Sequence, residues 1–184
     1  MALVDDRAIA RRSRGPRLAI LGVFAITAFT IFGGEFLLAP DADDNRAPPI
    51  GVRDLDGEVL DVSAGGLPSV VVFSKVSCPA CEVSLGDVEQ ASRRWKDKVN
   101  FFALAPDEAT EVKATADRLG LTFPVGSDPG GNVATRYGAD PAKATTFVFV
   151  SATGRILDRE PGPLRAETLE RRIRGLISAG PKPS

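Results

Sequence analysis

Four residues, Cys78-Pro79-Ala80-Cys81, contain both cysteines of the chain. Just upstream, Val70-Val71-Val72-Phe73 is β-branched and aromatic, and reads as a buried strand. Just downstream, Glu82 to Lys98 reads as a helix. A strand that runs through C-x-x-C into a helix puts the first cysteine at the helix N-terminus. There the unpaired backbone N–H groups and the positive end of the helix dipole stabilise an anion. A thiolate is such an anion. Free cysteine titrates near ~8.5, and the first cysteine of a C-x-x-C can fall to ~7 or lower. This context, with no other cysteine in the chain, is the physical basis for a dithiol/disulfide centre.

The 184 residues suit one domain plus extras, and 43% hydrophobic content supplies a core. A net charge of -1 gives no electrostatic case for nucleic acid as a partner. The chain has no histidine, which removes Ser-His and Cys-His dyads and the commonest zinc ligand. No cofactor is implied, and no metal ligands stand out.

The N-terminus is segmented. Residues 1–17 are polar and basic, with Arg7, Arg11, Arg12, Arg14 and Arg17 against Asp5 and Asp6. Leu18 to Gly34 carries no charge; after Glu35 the apolar run resumes and reaches Ala39. As a helix, residues 18–39 span about 33 Å, enough for a hydrocarbon core of about 30 Å. Glu35 would lie near the far interface. The acidic flank at Asp41, Asp43 and Asp44, set against the basic N-terminus, predicts a cytoplasmic N-terminus and an exported remainder. Signal-peptide apolar regions are shorter, about 7–15 residues, and no clean A-x-A cleavage site precedes Pro40, so an uncleaved anchor is the better reading. An exported domain meets an oxidising compartment, where a disulfide persists.

Residues 40–49 read as an acidic, proline-containing linker, and the folded domain is expected from 50 to 178. Ile50 to Val62 alternates apolar positions around Asp56-Gly57 and reads as a hairpin. Val99 to Ala105 is a second buried strand, and Glu108 to Leu119 a helix stopped by Gly120. A short extended piece follows at Phe123 to Val125, then a turn and short helix within Asp128 to Tyr137. Thr145 to Val150 and Arg155 to Asp158 are strands, Leu164 to Ile177 is an amphipathic helix, and 179–184 reads as a disordered tail. Strands alternating with helices, then a closing hairpin and helix, predict an α/β layered domain.

From Ile50 to about Ser178 the chain resembles the TlpA/ResA type of membrane-anchored thioredoxin-like thiol–disulfide oxidoreductase, within the redoxin (AhpC/TSA) superfamily. The matching stretches are Asp54-Leu55-Asp56-Gly57, Val70 to Phe73 running into Cys78–Cys81, Phe123-Pro124-Val125, Arg136-Tyr137-Gly138, and Thr145-Thr146-Phe147 followed by Gly154. The resemblance implies a thioredoxin fold: a central mixed β-sheet flanked by helices, here preceded by one N-terminal transmembrane helix. It also implies that Cys78 attacks a protein disulfide, that Cys81 is a buried resolving thiol, and that Pro79 and Ala80 tune the redox poise. Ala144 and Thr145 stand where the family supports its substrate. The implied partners are a protein thiol or disulfide substrate, an upstream redox partner and the membrane.

The chain departs from that pattern in places. Ser77 stands where the family usually has Trp, and Ser84 and Gly86 where it often has Glu and Pro. Ala144 replaces the cis-proline, and a cis bond without proline costs about 3–4 kcal/mol, so a trans Lys143–Ala144 bond is expected. Lys75 and Glu82 flank the motif; the Lys would favour a thiolate and the Glu oppose it, although both read most simply as solvated charges. Trp95 is expected to pack the motif helix or lie partly exposed, and Arg171, Arg172 and Arg174 to form a solvated face. A peroxiredoxin-like peroxidase is one rival. Its Pro-x-x-x-Thr-x-x-Cys loop would need Pro and Thr where Val71 and Lys75 stand. A Cu(I)-binding metallochaperone is another, since two thiolates suit that soft ion.

Overall fold

The structure, a computed structural model, describes residues 45–179. The expected anchor at 18–39 and its cytoplasmic flank lie outside the described residues. Among the described residues, no helix is long and apolar enough to cross a membrane.

The fold is built on β1 (Ser69–Phe73), every residue of which is buried. Side chains alternate across a strand, so β1 supplies two cores at once. Val70 and Val72 enter one and Val71 and Phe73 the other. β1 pairs in parallel with β2 (Asn100–Ala105) and antiparallel with β4 (Thr146–Val150). β3 (Val125–Ser127) and β5 (Ile156–Pro161) complete a mixed sheet in the order β3-β2-β1-β4-β5. On one face lie α1 (Pro79–Trp95), α2 (Ala109–Leu119) and α4 (Ala166–Ser178), through Leu85 and Val88, Val112 and Ala116, and Leu169, Ile173 and Leu176. The other face is covered by α3 (Asn132–Arg136) and by Ile50, Leu60 and Val62. This is a mixed-sheet, thioredoxin-like α/β fold.

Element boundaries move slightly from the sequence expectation. The motif helix begins at Pro79 rather than Glu82 and ends at Trp95 rather than Lys98. Proline is well accommodated at a first helical position, because its missing N–H would have no partner there and its φ is already helical. Ile50 to Val62 is a looser hairpin than alternation suggests, joined by one bridge between Arg53 and Val59. Its turn is held by Asp54 Oδ1, which accepts from the N–H of Asp56 and Glu58 at 3.0 and 2.8 Å. β5 runs on to Pro161, opposite Thr146.

Segments preceding β1 cover both sheet edges. Leu55 N–H donates to Val125 O at 2.9 Å beside β3, and Ile156 N–H donates to Asn45 O at 2.7 Å beside β5. The close approach at β3 requires glycine: a Cβ on Gly126 would meet Leu104 Cδ2 at 3.0 Å and Arg53 O at 3.1 Å. Residues 48–50 are clamped from α3. Arg136 donates to Pro49 O and Ile50 O at 2.9 and 3.0 Å, and the hydroxyl of Tyr137 donates to Pro48 O at 2.7 Å.

Two surface expectations are refined. Trp95 is half-buried, and its Nε1–H donates to Glu170 at 3.1 Å, tying α1 to α4 while Lys98 lies 5.7 Å from its ring centre. Arg172 is not simply solvated: it pairs with Asp158 at 2.8 Å and with Glu160.

Tyr137 is the chain's single tyrosine. It is fully buried, with its ring 5.3 Å from that of Phe73. Burial pushes its hydroxyl up to about 12. The folded state thus favours the neutral phenol. Its contribution is fully present below the ordinary value near ~10 and is lost as pH rises from there towards about 12. Urea unfolding should therefore show a fall in stability over that window, with tyrosinate absorbance appearing late. Tyr137→Phe should remove that component of the fall, at a cost of about 1 kcal/mol at neutral pH for the lost hydrogen bond. Tyrosinate appearing near pH 10 in the folded protein would contradict the assignment.

Candidate functional site

The site begins where β1 ends. Leaving the sheet, Ser74 N–H donates to Leu104 O at 3.0 Å, and the buried hydroxyls of Ser74 and Thr145 lie 2.9 Å apart. The buried side chain of Val76 anchors the next turn in the core. Its N–H donates to Asp107 Oδ2 at 3.0 Å. Asp107 is itself held from β3, where Ser127 Oγ donates to its carbonyl at 2.7 Å. Four residues of loop are thus fixed from three directions before the chain reaches Cys78.

Cys78 is the N-cap of α1, with extended backbone angles (φ -131°, ψ 117°). Its carbonyl accepts from the N–H of Cys81 and Glu82 at 2.9 and 3.0 Å. Its Sγ lies 3.3 Å from the Cys81 N–H, so the sulfur occupies the place of a capping oxygen. Cys78 and Cys81 form a disulfide with their Cα atoms 5.1 Å apart. Pro79 and Ala80 between them are exposed, as is Ser77. Val83, one turn on, is 68% exposed. Both cysteines are partly exposed, which corrects the implied burial of Cys81. The absence of a large side chain at Ser77 and the small Ala80 leave the first turn open to solvent.

Thr145 and Ala144 lie beside this loop. The β1–β4 register pairs Phe73 with Thr146, and its continuation sets Thr145 against Ser74. Ala144 is half-buried, and no cis peptide occurs among the described residues, so Lys143–Ala144 is trans as expected. The N–H groups of Lys143 and Ala144 both point back to Asp140 O, at 3.0 and 3.1 Å. A groove of about 730 Å³ runs alongside, lined by Lys75, Asp107, Gly131, Thr135 and Asp140 among others.

Two supporting groups escaped the sequence reading. One is Asp107, which stands just ahead of the helix expected from Glu108. The other is Arg118, in the last turn of α2, whose guanidinium donates to both carboxylate oxygens of Glu82 at 2.8 Å. Glu82 is therefore not a freely solvated charge. Arg118 holds its carboxyl below the usual carboxylate range, chiefly through that hydrogen bond. No local pattern marks either contact. Among the described residues, no group of three or more His, Cys, Asp or Glu side chains is placed to hold a metal.

A family model described as the AhpC/TSA family matches residues 44–158. The chain belongs to the AhpC/TSA family. Among curated relatives it is similar to the thiol-disulfide oxidoreductase ResA of Halalkalibacterium halodurans, with 27% identity over 84% of this chain and 89% of the relative. It is also similar, at 29% identity over 52% of this chain and 62% of the relative, to Mycobacterium tuberculosis Rv2521, which is named as a peroxiredoxin. In fold it matches the structure of MTB DsbF in mixed oxidized and reduced forms, at a TM-score of 0.62 and 24% identity over 71% of this chain and 98% of that one. These likenesses support a TlpA/ResA-type thioredoxin-like oxidoreductase.

The loop geometry carries a testable consequence. Asp107→Ala leaves the part-buried Val76 N–H without its acceptor and should cost about 1–3 kcal/mol of stability in urea unfolding. Asp107→Asn keeps an acceptor and should cost less than half as much. Equal losses in the two variants would show that the hydrogen bond is not what matters.

Proposed function

We propose that this chain is a membrane-tethered, extracytoplasmic thiol–disulfide oxidoreductase in which Cys78 attacks and Cys81 resolves. The observation that carries the reading is the Cys78 sulfur, capping α1 on an exposed surface and bonded to Cys81. In the reducing direction the Cys78 thiolate attacks one sulfur of a client disulfide. The client S–S bond breaks, a Cys78–client bond forms, and the released client thiolate takes up a proton. Cys81 then loses its proton and attacks the Cys78 sulfur. The Cys78–Cys81 bond forms and the second client thiolate leaves. Oxidation of a client dithiol is the same sequence reversed, and an upstream partner resets the pair. Two electrons move in either direction, and no cofactor enters.

Pro79 and Ala80 fix the geometry between the two sulfurs. Ala144 and Thr145 support the client side, Thr145 through its bond to Ser74. With the Lys143 and Ala144 N–H groups turned to Asp140, the client is held more by surface contact around Pro79, Ala80 and Val83 than by backbone pairing at that turn. The tether is the apolar run 18–39, with its basic flank in the cytoplasm. The peroxiredoxin reading gains nothing from the structure, since Val71 is a buried strand residue where that class needs its loop proline.

Alkylation of the reduced protein with iodoacetamide tests the proposal. At pH 7, Cys78 should react about tenfold faster than Cys81, because a thiolate stabilised at the helix start is populated where an ordinary thiol is not. Cys78→Ser should abolish exchange with a protein disulfide. Slow, equal modification of both sulfurs would defeat the reading. The full chain should also stay with membranes through alkaline carbonate, while a chain starting at residue 45 is released.

A further inference from the structure

Glu82 sits in the first turn of α1, and its N–H donates to Cys78 O at 3.0 Å. A carboxylate there draws on the same positive helix end as a Cys78 thiolate, and its charge opposes a second anion one turn away. The structure answers this with Arg118, which crosses from the last turn of α2 to grip both Glu82 oxygens at 2.8 Å. The two side chains are 27% and 54% exposed. An ion pair this exposed contributes little to folding stability. Its two-point geometry, beside the motif, does something else: it fixes where a negative charge sits and supplies a compensating positive one.

We infer that Arg118 is a positioning residue for thiol–disulfide exchange, holding and neutralising Glu82 so that the start of α1 is left to stabilise the Cys78 thiolate. The inference rests on the reading of Cys78 as the attacking sulfur. Charged groups on the adjoining segments include Lys75 on the loop before Cys78, Asp107, which accepts from Val76 N–H, and Lys143, which pairs with Asp140 at 2.9 Å.

The test is the acid constant of the Cys78 thiol, read from the pH profile of its alkylation in the reduced full chain. Four proteins are compared: wild type, Glu82→Gln, Arg118→Gln and the double variant. A unit charge roughly 8–10 Å away in a water-rich site changes such a constant about two- to fivefold. Arg118→Gln exposes the Glu82 charge and should lower the acid constant by that factor. Glu82→Gln leaves the guanidinium unopposed and should raise it by a similar factor. The double variant should return close to wild type. A purely structural ion pair predicts otherwise, since each single substitution breaks the same contact and both would move the constant the same way. Shifts of one sign, or no shift in either variant, overturn the inference. Should Arg118→Gln fail to fold, the rise in Glu82→Gln alone still decides it, because that change preserves the shape of the side chain. A wild-type Cys78 that reacts no faster than Cys81 is a separate outcome, which overturns the exchange reading and this inference with it.

Discussion

A sulfur that caps a helix is the interaction on which the rest of this structure depends. Cys78 Sγ accepts the Cys81 N–H in the place where serine or aspartate would ordinarily present oxygen. That position needs extended backbone at Cys78, a helical start at Pro79, and a loop that delivers both without slack. β1 provides the rigidity, because it is buried on both faces and hydrogen-bonded on both edges. Asp107 and Thr145 remove the remaining freedom of the four residues between β1 and the motif. The chemistry is thus placed at the surface by a segment rooted at the centre of the sheet.

Much of this arrangement was legible locally. Val70 to Phe73 announces a buried strand by its composition, and the cysteine spacing announces a helix start. The α/β layering followed from the alternation of strands and helices, and the mixed sheet from the family resemblance. What was not legible is the set of polar contacts between distant segments: Asp107 to Val76, 31 residues apart, Arg118 to Glu82 across 36, and Tyr137 to Pro48 across 89. Asp and Arg at such places look like any solvated side chain. Their partners become known only once the fold has brought the segments together. The same holds for residues 45–47, whose composition reads as linker although their backbone pairs beside β5.

The departures from the family pattern share one physical theme. Ser77 and Ala144 each put a small side chain where the TlpA/ResA resemblance implies a larger or stiffer one. The result is a motif turn with both cysteines partly exposed, and a neighbouring turn whose N–H groups are satisfied internally by Asp140. In the proposed function, a client meets this surface chiefly through the side chains around the sulfur. Residues 48–50 are clamped by Arg136 and Tyr137.

Exchange at this site turns on a single proton, that of the Cys78 thiol. Thiolate absorbance at about 240 nm, followed against pH in the reduced Cys81→Ser variant where Cys78 is the only sulfhydryl, reports it. A thiolate held by the helix start should titrate well below the ~8.5 of an ordinary cysteine, at about 7 or lower. A midpoint at or above 8.5 would show that the helix start does not hold the Cys78 thiolate, and would contradict the proposed exchange role.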